Sequence, residues 1–122
     1  MEAAAIAIIL NKKNEVLLLK RMHPQKDFSG YWGFPGGQTD PNETNEQAAI
    51  RETKEETNLD IWDLKFLKVD RGFVYAYTTR NFKGEVKLSF EHIGYVWESI
   101  KNIDSYKLIP GSAELIREAS IL

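Results

Sequence analysis

The segment GQTDPNETNEQAAIRETKEETNL occupies residues 37–59 and carries the clearest helix signal in the chain. Thr44 and Gln47 have the spacing of a capping box, in which each side chain satisfies a backbone N–H at the start of a helix. Asn58 stands where a left-handed residue commonly follows the last helical turn. The segment therefore predicts a loop, a helix over residues 45–57 and a second turn.

Three glutamates of this helix, Glu52, Glu55 and Glu56, crowd onto one face, because residues three and four positions apart are neighbours on a helix. Like charges at that spacing destabilise a helix by about 0.2–0.5 kcal/mol per pair. A solvated surface relieved by Arg51 and Lys54 is one interpretation. A site that holds a doubly positive cation is the other, and the helix alone leaves both open.

Upstream of this segment, two apolar runs flank a short polar turn. They are AAAIAIIL (3–10) and EVLLLKR (15–21), and with the NKKN between them they predict a β-hairpin. Residues 23–38 are rich in Gly, Pro and aromatic residues, which predicts a loop with one short strand.

Downstream, four segments mix β-branched and aromatic residues in the alternating pattern of strands. NFKG (81–84) is a predicted hairpin turn, and Ser112 is the predicted cap of a final helix over 113–121. This order of elements favours an α+β fold, a mixed sheet with helices packed on it. The four strand segments are LKFLKV (64–69), GFVYAYTTR (72–80), EVKLSF (85–90) and IGYVWE (93–98).

The composition is that of one globular domain spanning residues 1–122. The chain contains no cysteine, which excludes disulfides, thiolate catalysis and cysteine-ligated zinc. Its net charge of −2 gives no reason to expect a nucleic-acid polymer as partner. Residues 40–63 nevertheless hold eight acidic and two basic side chains, so this segment has a net charge of −6 and the rest of the chain +4.

The apolar run over residues 3–10 is too short to span a bilayer, and Glu2 precedes it instead of a basic leader. A cysteine-free composition suits a reducing compartment. We therefore expect a cytoplasmic protein with no membrane partner, acting as a monomer or a homodimer.

Residues 37–59 resemble the Nudix box, G-x5-E-x7-R-E-U-x-E-E-x-G-U, in which U is a bulky aliphatic residue. Two positions depart from the pattern, with Thr53 in place of the aliphatic residue and Asn58 in place of the glycine. YWGFPGG (31–37) is similar to the lead-in of this box, and EHIGYVW (91–97) is similar to a segment whose Glu binds metal in several branches of the family. The matching positions are Gly37, Glu43, Arg51, Glu52, Glu55, Glu56 and Leu59.

The resemblance implies an α+β fold of the Nudix type, an α/β/α sandwich around a mixed sheet with the box on one side and a C-terminal helix. It also implies a Mg²⁺-dependent pyrophosphohydrolase, with Mn²⁺ as a substitute metal. Mg²⁺ prefers hard oxygen ligands and keeps several waters, so clustered carboxylates suit it. The metal-binding residues implied by the resemblance are Glu52, Glu55, Glu56, Glu91 and Gly36.

In the family pattern, Arg51 pairs with Glu43 and holds the loop against the helix, and a bidentate contact would give that rigidity. An exposed i,i+4 pair with Glu55 is the alternative for Arg51. The general base stays open between Glu52 in the box and Glu91 on a distal loop. The expected catalytic group is Glu43, Arg51, Glu52, Glu55 and Glu91.

The implied substrate is a nucleotide or a nucleotide derivative, and its contacts are less specific than those of the metal. Charged side chains at a strand end could equally be solvated, and most aromatic residues in strands belong to a core. The glycines of the lead-in allow close approach of the backbone. The expected substrate-binding residues are Arg21, His23, Phe34, Gly36, Gly37, Tyr75 and His92.

Three functions are open at the level of the sequence. The first is housecleaning hydrolysis of nucleoside di- or triphosphates and related nucleotides. The second is hydrolysis of dinucleoside polyphosphates of the diadenosine tetraphosphate type. The third, from another class, is a nucleotide-binding module without catalysis, which the complete set of box carboxylates disfavours.

Overall fold

A computed structural model describes residues 3–22 and 28–122 of the chain. No helix within these ranges is long and apolar enough to cross a membrane. The helices are α1 (Asn45–Thr57), α2 (Ser112–Ser120) and a 3₁₀ helix (Ile100–Ser105). The strands are β1 (Ala4–Ile9), β2 (Glu15–Arg21), β3 (Trp32–Gly33), β4 (Gly36–Gln38), β5 (Asp60–Ile61), β6 (Lys65–Asp70), β7 (Val74–Thr79), β8 (Phe82–Lys83) and β9 (His92–Ser99).

Most of these strands belong to two sheets. The first sheet has the order β4-β1-β7-β6, in which β1 and β7 are parallel and the other neighbours are antiparallel. The second sheet has the antiparallel order β3-β2-β9. A third pairing joins the short strands β5 and β8.

The core has two halves because β1 and β2 send alternate apolar side chains to opposite faces. Ala48 and Ala49 of α1 pack into one half, and Leu115 and Ile116 of α2 pack into the other. Fully burying one Leu or Ile side chain stabilises a fold by about 1.5–3 kcal/mol. Helices therefore cover the strands from both sides, which is the layering that the sequence predicts.

The predicted hairpin of β1 and β2 is wrong. The two strands lie in different sheets and meet at an isolated bridge between Leu10 and Val16. Each strand is an inner strand of its own sheet, and its buried residues point to both faces. A strand that is apolar on both faces buries the most apolar surface in such a central position. A hairpin at the surface instead has one polar face.

The predicted strand over residues 85–90 is also wrong, because this segment is irregular in the structure. It runs along the end of α1, where Lys87 N donates to Thr57 O at 2.9 Å and Ser89 N donates to Glu56 O at 3.1 Å. Its alternation arises because Val86 and Leu88 pack against the core. The predicted turn at residues 81–84 likewise contains β8, which pairs with β5.

The predicted helix of the box, α1, is confirmed together with its ends. Thr44 N donates to Gln47 Oε1 at 2.8 Å, and Gln47 N donates to Thr44 Oγ1 at 3.1 Å, which completes the capping box. Asn58 adopts the left-handed conformation with a φ of 69°, and its N–H donates to Lys54 O.

The second helix begins one residue earlier than predicted. Ser112 is its first residue, and Gly111 is the N-cap, without a side-chain hydrogen bond. Gly111 has a φ of 90°, which a residue with a side chain rarely adopts. The backbone conformation therefore sets the start of α2 where a serine cap was expected.

Candidate active site

The carboxylate face of α1 lies against β4. Gly36 N donates to Glu56 Oε1 at 3.1 Å, although the Glu56 residue is only 3% exposed. Burial, the hydrogen bond with the Glu52 carboxyl, and the charges of Glu52 and Glu91 raise the pKa of Glu56 to about 9. The fold thus brings these three carboxylates into one electrostatic cluster, which we call the carboxylate cluster.

Two adjacent glycines let β4 approach this cluster closely. A Cβ on Gly37 would lie 2.6 Å from Glu52 Cδ, and a Cβ on Gly36 would lie 2.3 Å from the carbonyl oxygen of Ala5. The clash at Gly36 is with backbone, so only glycine fits there, whereas a side chain at Gly37 would displace the Glu52 carboxylate. The backbone of β4 therefore separates the carboxylate cluster from the other face of the first sheet.

Arg51 makes both of the contacts that the sequence left as alternatives. Its Nε and Nη2 donate to the two oxygens of Glu43 at 3.1 and 2.6 Å, and its Nη1 donates to Glu55 Oε1 at 3.1 Å. Nη1 also donates to Glu52 Oε1 at 2.9 Å, and Nη2 donates to Gln38 O at 3.1 Å. These hydrogen bonds hold the pKa of Glu43 below its usual range and raise that of Arg51.

The donor set fits a hard divalent cation, although it does not form a closed cage. Within the described ranges, no group of three or more His, Cys, Asp and Glu side chains is arranged to hold a metal ion by itself. Glu55, with a side chain 53% exposed, turns to Arg51. Mg²⁺ commonly takes one or two carboxylates and fills its remaining positions with water and substrate phosphates. The contact between the Glu52 and Glu56 carboxyls supplies such a pair.

Glu91 and His92 differ in their surroundings although they are neighbours. Glu91 lies in the turn before β9, and its carbonyl accepts from Met22 N at 3.0 Å. His92 is 8% exposed, and its Nδ1 has no hydrogen-bond partner in the described part of the chain. Burial first, and the charge of Arg21 second, lower the pKa of His92 to about 4. The imidazole is therefore neutral near pH 7, and charge attraction to a phosphate does not apply to it.

A cavity of about 610 Å³ lies on the other side of β4. Of the expected substrate-binding residues, it brings together Arg21, Phe34, Gly36 and Gly37. Its volume is in the range of small-molecule sites, which are largely apolar with a few polar groups. The remaining lining residues are Ala4, Ile6, Phe28, Gln38, Asp70, Arg71, Phe73, Val74, Ile109, Ser112 and Leu115.

Tyr75, another of the expected substrate-binding residues, does not line this cavity. Its neighbour Val74 does, and alternate residues of a strand point to opposite faces. Tyr75 instead lies near Phe66, with a distance of 6.2 Å between the ring centroids. His92 is absent from the cavity wall as well, and His23 lies outside the described residues.

The charged residues of the cavity that sequence analysis missed lie in one tight turn. Asp70 and Arg71 join β6 to β7, and both line the cavity. The signal available in the sequence was the DRG at residues 70–72, between two predicted strands. Nothing in that pattern shows that the turn lies across the sheet from the box.

The model of the NUDIX domain matches residues 1–119 of the chain. The chain belongs to the NUDIX family. The resemblance of the box, the α+β fold and the assignment to Nudix hydrolases are thereby confirmed.

Two curated relatives cover most of the chain. The CTP pyrophosphohydrolase of Escherichia coli K12 is 28% identical over 118 residues, which are 91% of this chain and 86% of that protein. The asymmetrical bis(5'-nucleosyl)-tetraphosphatase of Caenorhabditis elegans is 33% identical over 111 residues, which are 80% of this chain and 78% of that protein.

Among solved structures, the MutT NUDIX hydrolase from Burkholderia pseudomallei has a TM-score of 0.83 at 23% identity. The superposition covers 96% of each chain. At this identity the likeness shows the Nudix fold and not the substrate.

The two departures from the Nudix box leave its geometry intact. Asn58 takes the left-handed conformation in place of glycine, and its Nδ2 donates to Glu85 O at 3.2 Å. Thr53 is fully buried, and its hydroxyl has no hydrogen-bond partner within residues 3–22 and 28–122. The second departure has an energetic cost, because a buried hydroxyl without a partner is unfavourable.

Proposed function

We propose that this Nudix hydrolase cleaves nucleoside triphosphates to a nucleoside monophosphate and pyrophosphate, with Mg²⁺ as its metal. The observation that carries the proposal is the position of β4. On one side of Gly36 and Gly37 lies a cavity large enough for one nucleotide, and on the other side lies the carboxylate cluster. A phosphate chain that leaves the cavity at β4 would therefore meet the carboxylates.

The metal-binding residues in this proposal are Glu52 and Glu56, supported by Glu55, Glu91 and the backbone of Gly36. Bound Mg²⁺ would neutralise charge on the phosphates and make a bound water more acidic. Glu55 must leave Arg51 in order to contribute a ligand, because its carboxylate is paired with that guanidinium.

The other residues of the site bind, orient and move a proton. Arg21 lines the cavity and supplies positive charge for the phosphates. Arg51 orients Glu52 through the 2.9 Å contact and fixes the loop through Glu43. Water adds to one phosphorus of the anhydride, the bond to the bridging oxygen breaks, and Glu52 or Glu91 accepts the proton of the water.

The relatives support this substrate class, since one of them is a CTP pyrophosphohydrolase. Nucleoside triphosphates are used in the cytoplasm, so a cytoplasmic location is part of the proposal. A monomeric or homodimeric state remains a prediction.

Hydrolysis of dinucleoside polyphosphates is the second candidate function. The asymmetrical tetraphosphatase is the relative that favours it, at 33% identity. Phe90 is 82% exposed and directly precedes Glu91, so a second nucleobase beyond the carboxylates would have an aromatic ring available for stacking. This candidate needs room for a second nucleoside beyond Glu91, whereas a nucleoside triphosphate needs only the cavity and the passage from β4 to the carboxylate cluster.

The test is hydrolysis of a nucleotide panel with and without Mg²⁺, with separation of the products. The panel holds the common and oxidised nucleoside triphosphates, diadenosine tetraphosphate, ADP-ribose and dihydroneopterin triphosphate. We expect Mg²⁺-dependent release of monophosphate and pyrophosphate from triphosphates. Preferential conversion of diadenosine tetraphosphate to ATP and AMP would instead establish the second candidate.

Glu52→Gln is the matching variant, and Glu46→Gln on the same helix is its control. We expect Glu52→Gln to lower kcat by at least about a hundredfold, because a metal-binding carboxylate or the base is lost. Glu46 lies in the first turn of α1, away from the carboxylate cluster, and its replacement should leave kcat within about twofold. Equal activity of both variants would remove the carboxylate cluster from the mechanism.

A further inference from the structure

Asp70 and Arg71 form a polar end of the cavity, across the first sheet from β4. Gln38, Ala4, Val74 and Asp70 are direct partners on four successive strands, and all four line the cavity. Neighbouring strands are about 4.8 Å apart, so Asp70 lies roughly 14 Å from Gln38. A nucleotide with its phosphates at β4 would extend its base towards this end.

Asp70 has a mostly buried carboxylate with one oxygen available. Its side chain is 18% exposed, and Oδ2 accepts from Arg71 Nε at 3.2 Å. No donor in residues 3–22 and 28–122 reaches Oδ1. Both oxygens would lie 3.6 to 3.7 Å from a Cβ on Gly111, so the carboxylate is held against the start of α2. A buried acceptor without a donor is unfavourable, so a ligand that donates a hydrogen bond to Oδ1 would bind more tightly.

Arg71 offers donors beside that acceptor. Within the described residues, only Nε of its guanidinium is engaged, and both Nη groups are available. Arg71 and Gly72 have φ values of 52° and 79°, which is the pattern of a type I′ hairpin turn. That turn favours Asn or Gly at its first position, and Arg there is strained.

We propose that Asp70 and Arg71 read the base of the substrate and, between the two pyrimidines, select cytosine over uracil. Asp70 Oδ1 accepts a hydrogen bond from the exocyclic N4 amino group, and an Arg71 Nη group donates to the ring N3 or to O2. Carboxylates pair with the cytosine amino group in this way in base recognition. Uracil presents a carbonyl oxygen where cytosine has the amino group, and that oxygen repels the carboxylate. This inference rests on the proposed function, since it assumes a nucleotide in the cavity.

The first test compares kcat/KM for CTP and UTP, which differ only at this edge of the base. We expect the wild-type protein to favour CTP by about ten- to hundredfold, which is what one discriminating contact provides. Asp70→Asn should bring the ratio to within about threefold of one, because an amide can either donate or accept. A wild-type ratio near one, or a ratio unchanged by Asp70→Asn, would overturn the proposal.

Asp104→Asn is the matched control. Asp104 makes an exposed ion pair with Arg117 at 2.8 Å and is absent from the cavity wall, so its replacement should leave the CTP/UTP ratio unchanged. A purely structural role of Asp70 would lower stability without changing the ratio between the two substrates. Thermal melts of both variants therefore accompany the kinetic measurement.

Binding of the monophosphates separates this inference from the proposed hydrolysis. CMP and UMP are titrated into metal-free protein by calorimetry, which needs no turnover. Tighter binding of CMP that Asp70→Asn abolishes would support base recognition even if no triphosphate is cleaved. Cleavage of triphosphates without any CMP preference would overturn the inference and leave the proposed function standing.

Discussion

At the residue scale, Thr53 is a buried polar residue that destabilises the fold. It occupies the aliphatic position of the Nudix box and is fully buried, but its hydroxyl lacks a partner in the described ranges. Thr57, one turn later and equally buried, has a satisfied hydroxyl. Its Oγ1 donates to Thr53 O at 2.7 Å and accepts from Leu59 N at 3.1 Å. The Thr57 hydroxyl therefore stabilises the fold, whereas the Thr53 hydroxyl destabilises it.

We predict that Thr53→Val stabilises the protein by about 1 kcal/mol, because it removes an unpaired buried hydroxyl and keeps the shape. Urea unfolding measures the change, and the melting temperature should rise by roughly 4 °C. Thr57→Val is the control and should destabilise, since Leu59 N then loses its acceptor. A destabilised Thr53→Val protein would show that the hydroxyl has a partner in solution.

At the element scale, Arg51 connects the loop before α1 to the helix itself. Its guanidinium bonds Gln38 O and both Glu43 oxygens on the loop side, and Glu52 and Glu55 on the helix side. A planar fork with five donors suits this role, whereas a lysine ammonium cannot form the bidentate contact. The loop and the orientation of Glu52 therefore depend on one side chain.

Arg51→Lys should lower protection of the amides of residues 38–44 in hydrogen exchange and reduce kcat at least about tenfold. Lysine keeps the positive charge, so the decrease in protection and in kcat would come from the lost bidentate guanidinium contact. Lys54→Gln is the control, since the Lys54 ammonium makes exposed contacts with Asp60 and with Asn58 O just beyond the end of α1. Wild-type protection of the loop amides in Arg51→Lys would contradict the role of the bidentate guanidinium contact.

A second link between elements joins the end of β9 to the 3₁₀ helix. The Tyr106 hydroxyl donates to Glu98 Oε2, and this bond lowers the pKa of Glu98 and raises that of Tyr106. A lowered acid pKa gives stability that is present above the unfolded pKa and is lost as the pH falls through the folded pKa. A raised tyrosine pKa gives stability that is present below the unfolded pKa and is lost as the pH rises.

Tyr106→Phe should therefore destabilise the protein between about pH 5 and pH 10, with a smaller effect outside that window. Urea unfolding at pH 3, 7 and 10.5 measures the difference from wild type. Tyr95→Phe is the control, because the Tyr95 residue is 47% exposed on strand β9. A constant difference across the three pH values would refute the charge-assisted bond.

At the scale of the whole molecule, the carboxylate cluster stores repulsion that a cation can relieve. Glu56 is buried against Glu52 and within the field of Glu91, and its side chain accepts a hydrogen bond from Gly36 N at 3.1 Å. Burying such a group costs free energy unless charge or protons compensate. Binding of Mg²⁺ to the folded state alone should therefore stabilise the entire domain.

We predict that Mg²⁺ raises the melting temperature of metal-free protein, by an amount equivalent to about 2.7 kcal/mol at a hundred times its Kd. Glu56→Gln should melt higher than wild type in EDTA, because a neutral amide still accepts from Gly36 N without the burial cost of a carboxyl. The same variant should lose most of the Mg²⁺ effect. A full Mg²⁺ shift in Glu56→Gln would exclude Glu56 as a ligand.

The sequence by itself determined α1 and both of its ends, together with the Nudix family. These features depend on contacts between residues a few positions apart, so spacing along the chain is enough to specify them. The shared helix face of Glu52, Glu55 and Glu56 follows from the same local pattern, and metal binding by these residues stays a prediction.

Only the tertiary structure decided which strands pair and which side chains meet in the cavity. An apolar run such as β1 is equally suited to a hairpin with β2 and to a place between β4 and β7, and burial of both its faces selects the second. The same choice turns Val74 into the cavity and Tyr75 away from it. It also places Asp70 across the sheet from the box. Contacts between residues far apart in the sequence depend on tertiary packing, so local spacing does not specify them.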